Sequence, residues 1–144
     1  MDYSQSFAIS AAGMQIERSR VDVAALNLAN ANTVVGADGQ GYHPMRVLAR
    51  HVGLHGASFA SLLALGQSNA AGSVVSVEPS EQAPREVYEP GNPLANARGV
   101  VTYAGVDAAA EMTTIMAAMR SYEANVAAMN AARSMALKTL DIGG

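Results

Sequence analysis

The chain has 144 residues, of which half are apolar but only 5% aromatic, with a net charge of −3 and no cysteine. This length suits one compact domain, or a small body that carries long terminal helices. The few aromatic residues disfavour a ligand pocket, the scattered basic residues disfavour nucleic-acid binding, and the lack of cysteine excludes disulfides and thiolate chemistry. No uncharged segment is apolar enough to predict a membrane span, and the first residues show no signal-peptide pattern.

A long N-terminal helix is predicted from residue 4 to about residue 32. This segment contains no proline, and apolar residues recur in it at seven-residue spacing. At about 1.5 Å per residue the helix would be roughly 40 Å long, with Ser4 or Asp2 available as its N-cap. The repeating residues are Phe7, Met14, Val21 and Leu28.

A second long helix is predicted from an N-cap at Asp107 to the end of the sequence. Its apolar residues form two seven-residue series, and offsets of three and four alternate as in the seam of a coiled coil. We therefore expect the two terminal helices to pair as a coiled coil. The first series is Met112, Met119, Val126 and Leu140, interrupted at Arg133; the second is Ile115, Tyr122, Met129 and Ala136; Met116 and Leu137 widen the seam.

The sequence between the helices has a different character, with glycine- and proline-rich turn signals that separate short β-branched or aromatic runs. Short strands are predicted at 46–52, 73–78, 86–88 and 100–103, while residues 56–71 could form either a helical turn or a mobile loop. The predicted fold class is mainly α with a small β-rich insert. The expected parts are an N-terminal axial helix (1–33), a small β-rich or irregular domain (34–106) and a C-terminal axial helix (107–144).

The composition of the C-terminal helix predicts assembly. Alanine occupies most of the positions outside the seam, and few positions are charged. A helix that is small or apolar nearly all round is normally buried on more than one side, and the N-terminal helix can cover only one. Copies of the chain or related subunits must then cover the rest. In a lone subunit we expect the terminal helices to fray, since long helices with few tertiary contacts are marginally stable.

Three blocks of sequence resemble one known family. They are residues 26–33 (LNLANANT) followed by Gly41 and Tyr42, residues 87–95 (VYEPGNPLA), and residues 120–126 (RSYEANV) with 138–143 (KTLDIG). The first block resembles the N-terminal signature of flagellar rod and hook proteins. The second and third resemble the approach to the last helix, and that helix itself, in a proximal rod protein. One departure is Asn92, which stands where that family commonly has histidine.

The resemblance implies a structural subunit of the flagellar rod rather than an enzyme, with no catalytic residue, metal site or cofactor. It implies export by the flagellar type III apparatus without a cleaved signal, and assembly in the periplasm with copies of itself and with other proximal and distal rod proteins. The rod transmits motor rotation to the hook and filament. In this interpretation four asparagines fix the register of the contact by hydrogen bonds, although they could also be ordinary helix-end and turn residues. They are Asn27, Asn30, Asn32 and Asn125.

The expected assembly interface combines these asparagines with the apolar series of both helices. Its members are Phe7, Met14, Val21, Asn27, Leu28, Asn30, Asn32, Met112, Ile115, Met119, Tyr122, Asn125, Val126, Met129, Leu137 and Leu140.

Other functions have weaker support in the sequence. His43, His51 and His55 could supply nitrogen ligands to a metal, but Gly53 and Gly56 weaken a helix there and no HExxH motif is present. The glutamates between residues 78 and 89 lie in a proline-punctuated segment and are expected to be solvated charges. The main alternative to a rod subunit is a free-standing helical adaptor or export chaperone that uses the same seam to bind a client helix.

Overall fold

The fold consists of two long helices, one at each end of the chain, and two small antiparallel sheets between them. The computed structural model describes residues 3–36, 40–51 and 73–142. The predicted fold class, mainly α with a small β-rich insert and paired terminal helices, is confirmed. Residues 56–71, which the sequence left open between a helical turn and a loop, lie outside the described residues. The elements are α1 (Tyr3–Ala29), β1 (Met45–His51), β2 (Ser73–Pro79), β3 (Arg85–Tyr88), β4 (Val100–Tyr103) and α2 (Ala108–Ile142).

Helix α1 begins one residue earlier than expected and ends three residues earlier. Because it starts at Tyr3, Ser4 lies inside the first turn and not at the cap, and Asp2 is outside the described residues. At the other end, the Asn30 side chain donates to the Leu26 carbonyl (2.9 Å) and the Thr33 amide donates to the Asn30 carbonyl (3.0 Å). The Leu26 carbonyl also accepts from the Asn30 amide (3.2 Å), and together these bonds close the helix with tight turns.

Helix α2 starts where the sequence predicts. The Asp107 carboxylate accepts hydrogen bonds from the amides of Ala109 (2.9 Å) and Ala110 (3.2 Å), so Asp107 is the N-cap. Glu111 adds a second negative charge in the first turn, at the positive end of the helix dipole. The helix then continues for 35 residues.

The two sheets are separate two-stranded ribbons. β1 pairs with β2 from Met45 opposite Pro79 to His51 opposite Ser73, and β3 pairs with β4 from Arg85 opposite Tyr103 to Tyr88 opposite Val100. The predicted strands agree with the observed ones to within one residue at each end that the structure describes. The pairing partners were not predictable from sequence spacing alone.

The segment that follows α1 is attached to β4, the strand that leads to α2. The Val35 amide donates to the Thr102 carbonyl (2.8 Å), and the Ala104 amide donates to the Thr33 carbonyl (3.0 Å). Val34 and Tyr103 form an antiparallel bridge between these bonds, and Val101 of β4 has no exposed surface. The exit of α1 and the entry to α2 are therefore held side by side, and the two helices start their contact from this point.

Gly105 lies at the entry to α2, where the backbone passes very close to another segment. A Cβ atom on Gly105 would collide with the backbone carbonyl of Ala83, which precedes β3. The Ala83 carbonyl is main chain and cannot rotate away as a side chain could. A glycine is therefore required here by close approach.

We predict that Gly105→Ala lowers the free energy of unfolding by about 1–3 kcal/mol, because one strand connection must shift to admit the methyl group. The matched control is Gly91→Ala, because a Cβ on Gly91 would meet no atom within 4 Å. Chemical denaturation of the purified variants measures both changes. An equal effect of the two substitutions would contradict the close approach at Gly105.

Candidate assembly surface

The two helices contact each other through small side chains. Ser10 and Ala24 on α1, and Ala118 and Ala132 on α2, are all buried. Within each helix the two buried residues are two heptads apart, so they lie on one continuous stripe. Small residues on both stripes let the two backbones approach closely.

The two helices approach each other closely at Gly13. A Cβ atom there would lie 2.9 Å from Nδ2 of Asn125 and 3.0 Å from its Oδ1. The half-buried Asn125 uses its Nδ2 to donate to the Ser121 carbonyl of its own helix (3.0 Å). Asn125 therefore packs over Gly13 and bonds within α2.

The helices are antiparallel with a fixed register. Asn27 bonds to Glu111, and Gly13 lies against Asn125, so fourteen residues separate the two contact points on each helix. The same register places Tyr3, the first described residue of α1, level with Met135. Residues 136–142 of α2, which we call the overhang, extend beyond the described part of α1.

Asn27 is the best-connected side chain in the described structure and is only 1% exposed. Its Nδ2 donates to the Met45 carbonyl (2.8 Å) and to Oε1 of Glu111 (2.9 Å). Its Oδ1 accepts from the Tyr42 hydroxyl (2.7 Å) and from the Met45 amide (2.9 Å). Two donors and two acceptors are the full capacity of an asparagine amide, so nothing is left for another molecule.

These four bonds join α1, the start of β1 and the first turn of α2. Burial raises the pKa of the Tyr42 hydroxyl, and the nearby Glu111 carboxylate raises it further, so the phenol stays protonated and remains a donor to Asn27. No buried side-chain nitrogen or oxygen among the described residues lacks a hydrogen-bond partner. The network is complete within a single chain.

We predict that Asn27→Asp destabilises the subunit by about 3–5 kcal/mol at neutral pH, because it places a buried carboxylate against the Glu111 carboxylate and the Met45 carbonyl. Burial and the like charge raise the folded-state pKa of the new carboxyl above its unfolded value of about 3.9. The loss should therefore shrink as pH falls toward that value. The control is Asn32→Asp, at an exposed position. Thermal melts at several pH values measure this, and a pH-independent loss would contradict the network.

The structure divides the expected interface residues into three groups. Asn27 is buried inside the subunit, and Asn30 caps the end of its own helix, while Asn32 is exposed. The half-buried group lies beside the stripe of small residues and consists of Phe7, Met14, Val21, Leu28, Ile115, Asn125, Val126 and Met129. The exposed group consists of Met112, Met119, Tyr122, Leu137 and Leu140.

The residues at the centre of the interhelical contact were not recognised from the sequence. Ser10, Gly13, Ala24, Ala118 and Ala132 occupy it, whereas the sequence pointed to the larger residues beside them. The available signal was the seven-residue spacing of Ala118, Asn125 and Ala132. It was hidden because alanine occurs on every side of this helix.

One side of α2 carries large apolar side chains that are exposed in the described part of the structure. Met112, Met116 and Met119 are 53%, 55% and 52% exposed. At 100° per residue they fall within about 60° of one another, and Met116 lies on the side opposite Ala118. We call these three residues the methionine face. Leu137 continues the same side of the helix and is also exposed.

Helix α1 also has apolar residues that face outward, since Ile9 is 66% and Leu26 is 50% exposed. The helix pair thus presents uncovered apolar side chains on both of its members. Within residues 3–36, 40–51 and 73–142, no helix combines the length and hydropathy needed to cross a lipid bilayer. Large exposed apolar side chains that lie together, as those of the methionine face do, mark a surface that binds another molecule.

Comparison with known proteins agrees with this geometry. The family model for the C-terminal part of flagellar basal body rod FlgEFG proteins matches residues 97–142, which include all of α2. The flagellar basal-body rod protein FlgC of Salmonella typhimurium is 42% identical over 137 residues, which cover 95% of each chain. FlgC of Escherichia coli is 41% identical over the same length, and FlgC of Bacillus subtilis is 38% identical over 144 residues and 96% of each chain. The chain belongs to the FlgC family of flagellar basal-body rod proteins.

Proposed function

We propose that this chain, a structural subunit of the flagellar basal-body rod, assembles through the outward sides of α1 and α2. The observation that carries the proposal is the methionine face, which lies opposite the stripe that pairs the two helices within the subunit. Burial of apolar surface is worth about 25 cal/mol per Å², so neighbours that cover this face stabilise both partners. Flexible methionine side chains also adapt to partners that are similar but not identical.

The geometry favours contacts with more than one neighbour. Ile9 and Leu26 on α1 and the methionine face on α2 belong to different helices of the pair. A subunit with apolar patches on both helices can be covered on two sides, as a shaft built from many copies requires. Copies of this chain and other rod subunits are the proposed partners.

The expected asparagine contacts are revised in this proposal. Asn27 and Asn125 stabilise the subunit itself, because the first has no free hydrogen-bonding group and the second packs over Gly13. The exposed Asn32 is the member of the set best placed to bond with a neighbour. The proposed division of the chain is an N-terminal axial helix (1–33), a small domain (34–106) and a C-terminal axial helix (107–144).

We further infer that the subunit is exported by the flagellar type III apparatus and is built into the rod in the periplasm. The absence of cysteine suits a chain that is threaded through a channel before it folds. Full-length similarity to basal-body rod proteins favours this role over a free-standing adaptor or export chaperone.

We predict that Met116→Asp prevents rod assembly and swimming, because a charge on the methionine face would have to be buried without a partner. The side chain is exposed in the lone subunit, so circular dichroism of the purified variant should remain unchanged. The variant is expressed in a strain from which the gene for this subunit has been deleted. Swimming and electron microscopy of basal bodies then measure the effect.

The matched control is Val77→Asp, which introduces the same charge at an exposed apolar residue of β2, outside the terminal helices. It should leave assembly intact. Normal swimming of the Met116→Asp strain would contradict assembly through this face.

A further inference from the structure

The overhang of α2 has its own apolar and charged pattern. Leu137 is 53% and Leu140 is 72% exposed, and they are three residues apart, so they lie on neighbouring positions of one side of the helix. Lys138 and Asp141 are exposed next to them. Neither has an ionic partner within the described residues. The end of the helix is therefore an uncovered leucine pair beside one positive and one negative charge.

A groove between α1 and α2 has the complementary pattern. It is an open depression of about 310 Å³ lined by Glu17, Arg18, Val21, Met119, Tyr122 and Glu123. Val21, Met119 and Tyr122 give it an apolar floor, and charges of both signs stand at its rim. Glu123 has no ionic partner among the residues that the structure describes, and Arg18 has only Asp22, at 4.0 Å and well exposed.

We propose that the overhang of one copy of this chain docks into this groove of a second copy. Leu137 and Leu140 would cover Val21 and Met119, while Lys138 meets Glu123 and Asp141 meets Arg18. Opposite charges thereby face each other beside the apolar contact, which sets the orientation of docking. This inference rests on the proposed function and specifies one contact of the polymer.

The occupant must be a different copy, because the overhang cannot reach its own groove. Glu123 and Leu140 belong to one uninterrupted helix, and 17 residues of helix separate them by roughly 25 Å. The two partners also use different surfaces, the overhang on one copy and the groove on the next. Such a head-to-tail contact repeats without closing on itself unless the rotation between copies forms a ring, so it can propagate along a shaft.

Disulfide trapping tests the contact directly, because the chain has no cysteine of its own. The full chain carrying Val21→Cys and Leu140→Cys is expressed in a strain from which the gene for this subunit has been deleted. Basal bodies are then isolated, oxidised and analysed by gel electrophoresis without reductant. A disulfide requires Cα atoms within about 7 Å, so only direct docking gives a bond. We expect a ladder of covalent multimers, with the 21–140 linkage identified by mass spectrometry, and no multimers from either single variant.

A charge exchange provides the second measurement in the same double-cysteine chain. Lys138→Glu should reduce the yield of the ladder by about tenfold, and adding Glu123→Lys should restore it. Arg133→Glu, at an exposed residue of α2 before the overhang, should change nothing. Val77→Cys with Leu140→Cys is the control pair and should give no ladder.

Different results overturn different claims. Absence of the ladder, while Met116→Asp still blocks assembly, would overturn the docking and leave the proposed function in place. Dimers from Leu140→Cys alone would also overturn it, because two overhangs would then meet each other. If Met116→Asp assembles normally, the proposed function itself fails.

Discussion

The arrangement of the subunit depends on the amide of Asn27. It is buried, all four of its hydrogen-bonding positions are used, and its partners belong to two other segments of the chain, residues 42–45 and the first turn of α2. Hydrogen bonds in a site without water strengthen one another, and each one left unmade is costly. Any slip of α2 along α1 would leave the Asn27 amide or the Glu111 carboxylate unpaired. The network therefore fixes the register of the helix pair, and that register determines which residues of α2 are left uncovered.

The helix pair separates the residues that hold the subunit together from those that remain available to neighbours. The inner stripe is small, with alanine, serine and glycine, so each residue buries little apolar area and contributes little stability. Larger apolar side chains, Met112, Met116, Met119, Leu137 and Leu140, are exposed instead. A subunit built in this way leaves apolar area that association would bury, as the proposed function requires.

Much of this fold could be predicted from the sequence. Seven-residue spacing identified both helices, Asp107 correctly marked the start of α2, and β-branched runs identified the four strands. The pairing side of each helix could not be predicted in the same way. The seven-residue spacing was traced through large apolar residues, and so it pointed to Met112 and Met119. The helices instead contact each other through Ala118 and Ala132, because small side chains allow the two backbones to approach closely.

The hydrogen-bond partners of Asn27 could not be predicted from the sequence either. Its position in LNLANANT suggested a contact between subunits, but nothing in the sequence indicates that Tyr42, Met45 and Glu111 converge on it. Glu111 is 84 residues away along the chain, and only the folded backbone brings it to the end of α1. Gly105 is similar, because its need for close approach to Ala83 depends on how the strand connections pack.

We expect the outer face of α2 to be open in the lone subunit and covered in the rod. Mild peroxide oxidation, read by mass spectrometry, measures this residue by residue, since exposed methionine is converted to its sulfoxide. Met112, Met116 and Met119 are the reporters, and the half-buried Met129 serves as an internal reference. We predict rapid oxidation of the three reporters in the purified subunit and strong protection in isolated basal bodies. Equal oxidation in both states would contradict it.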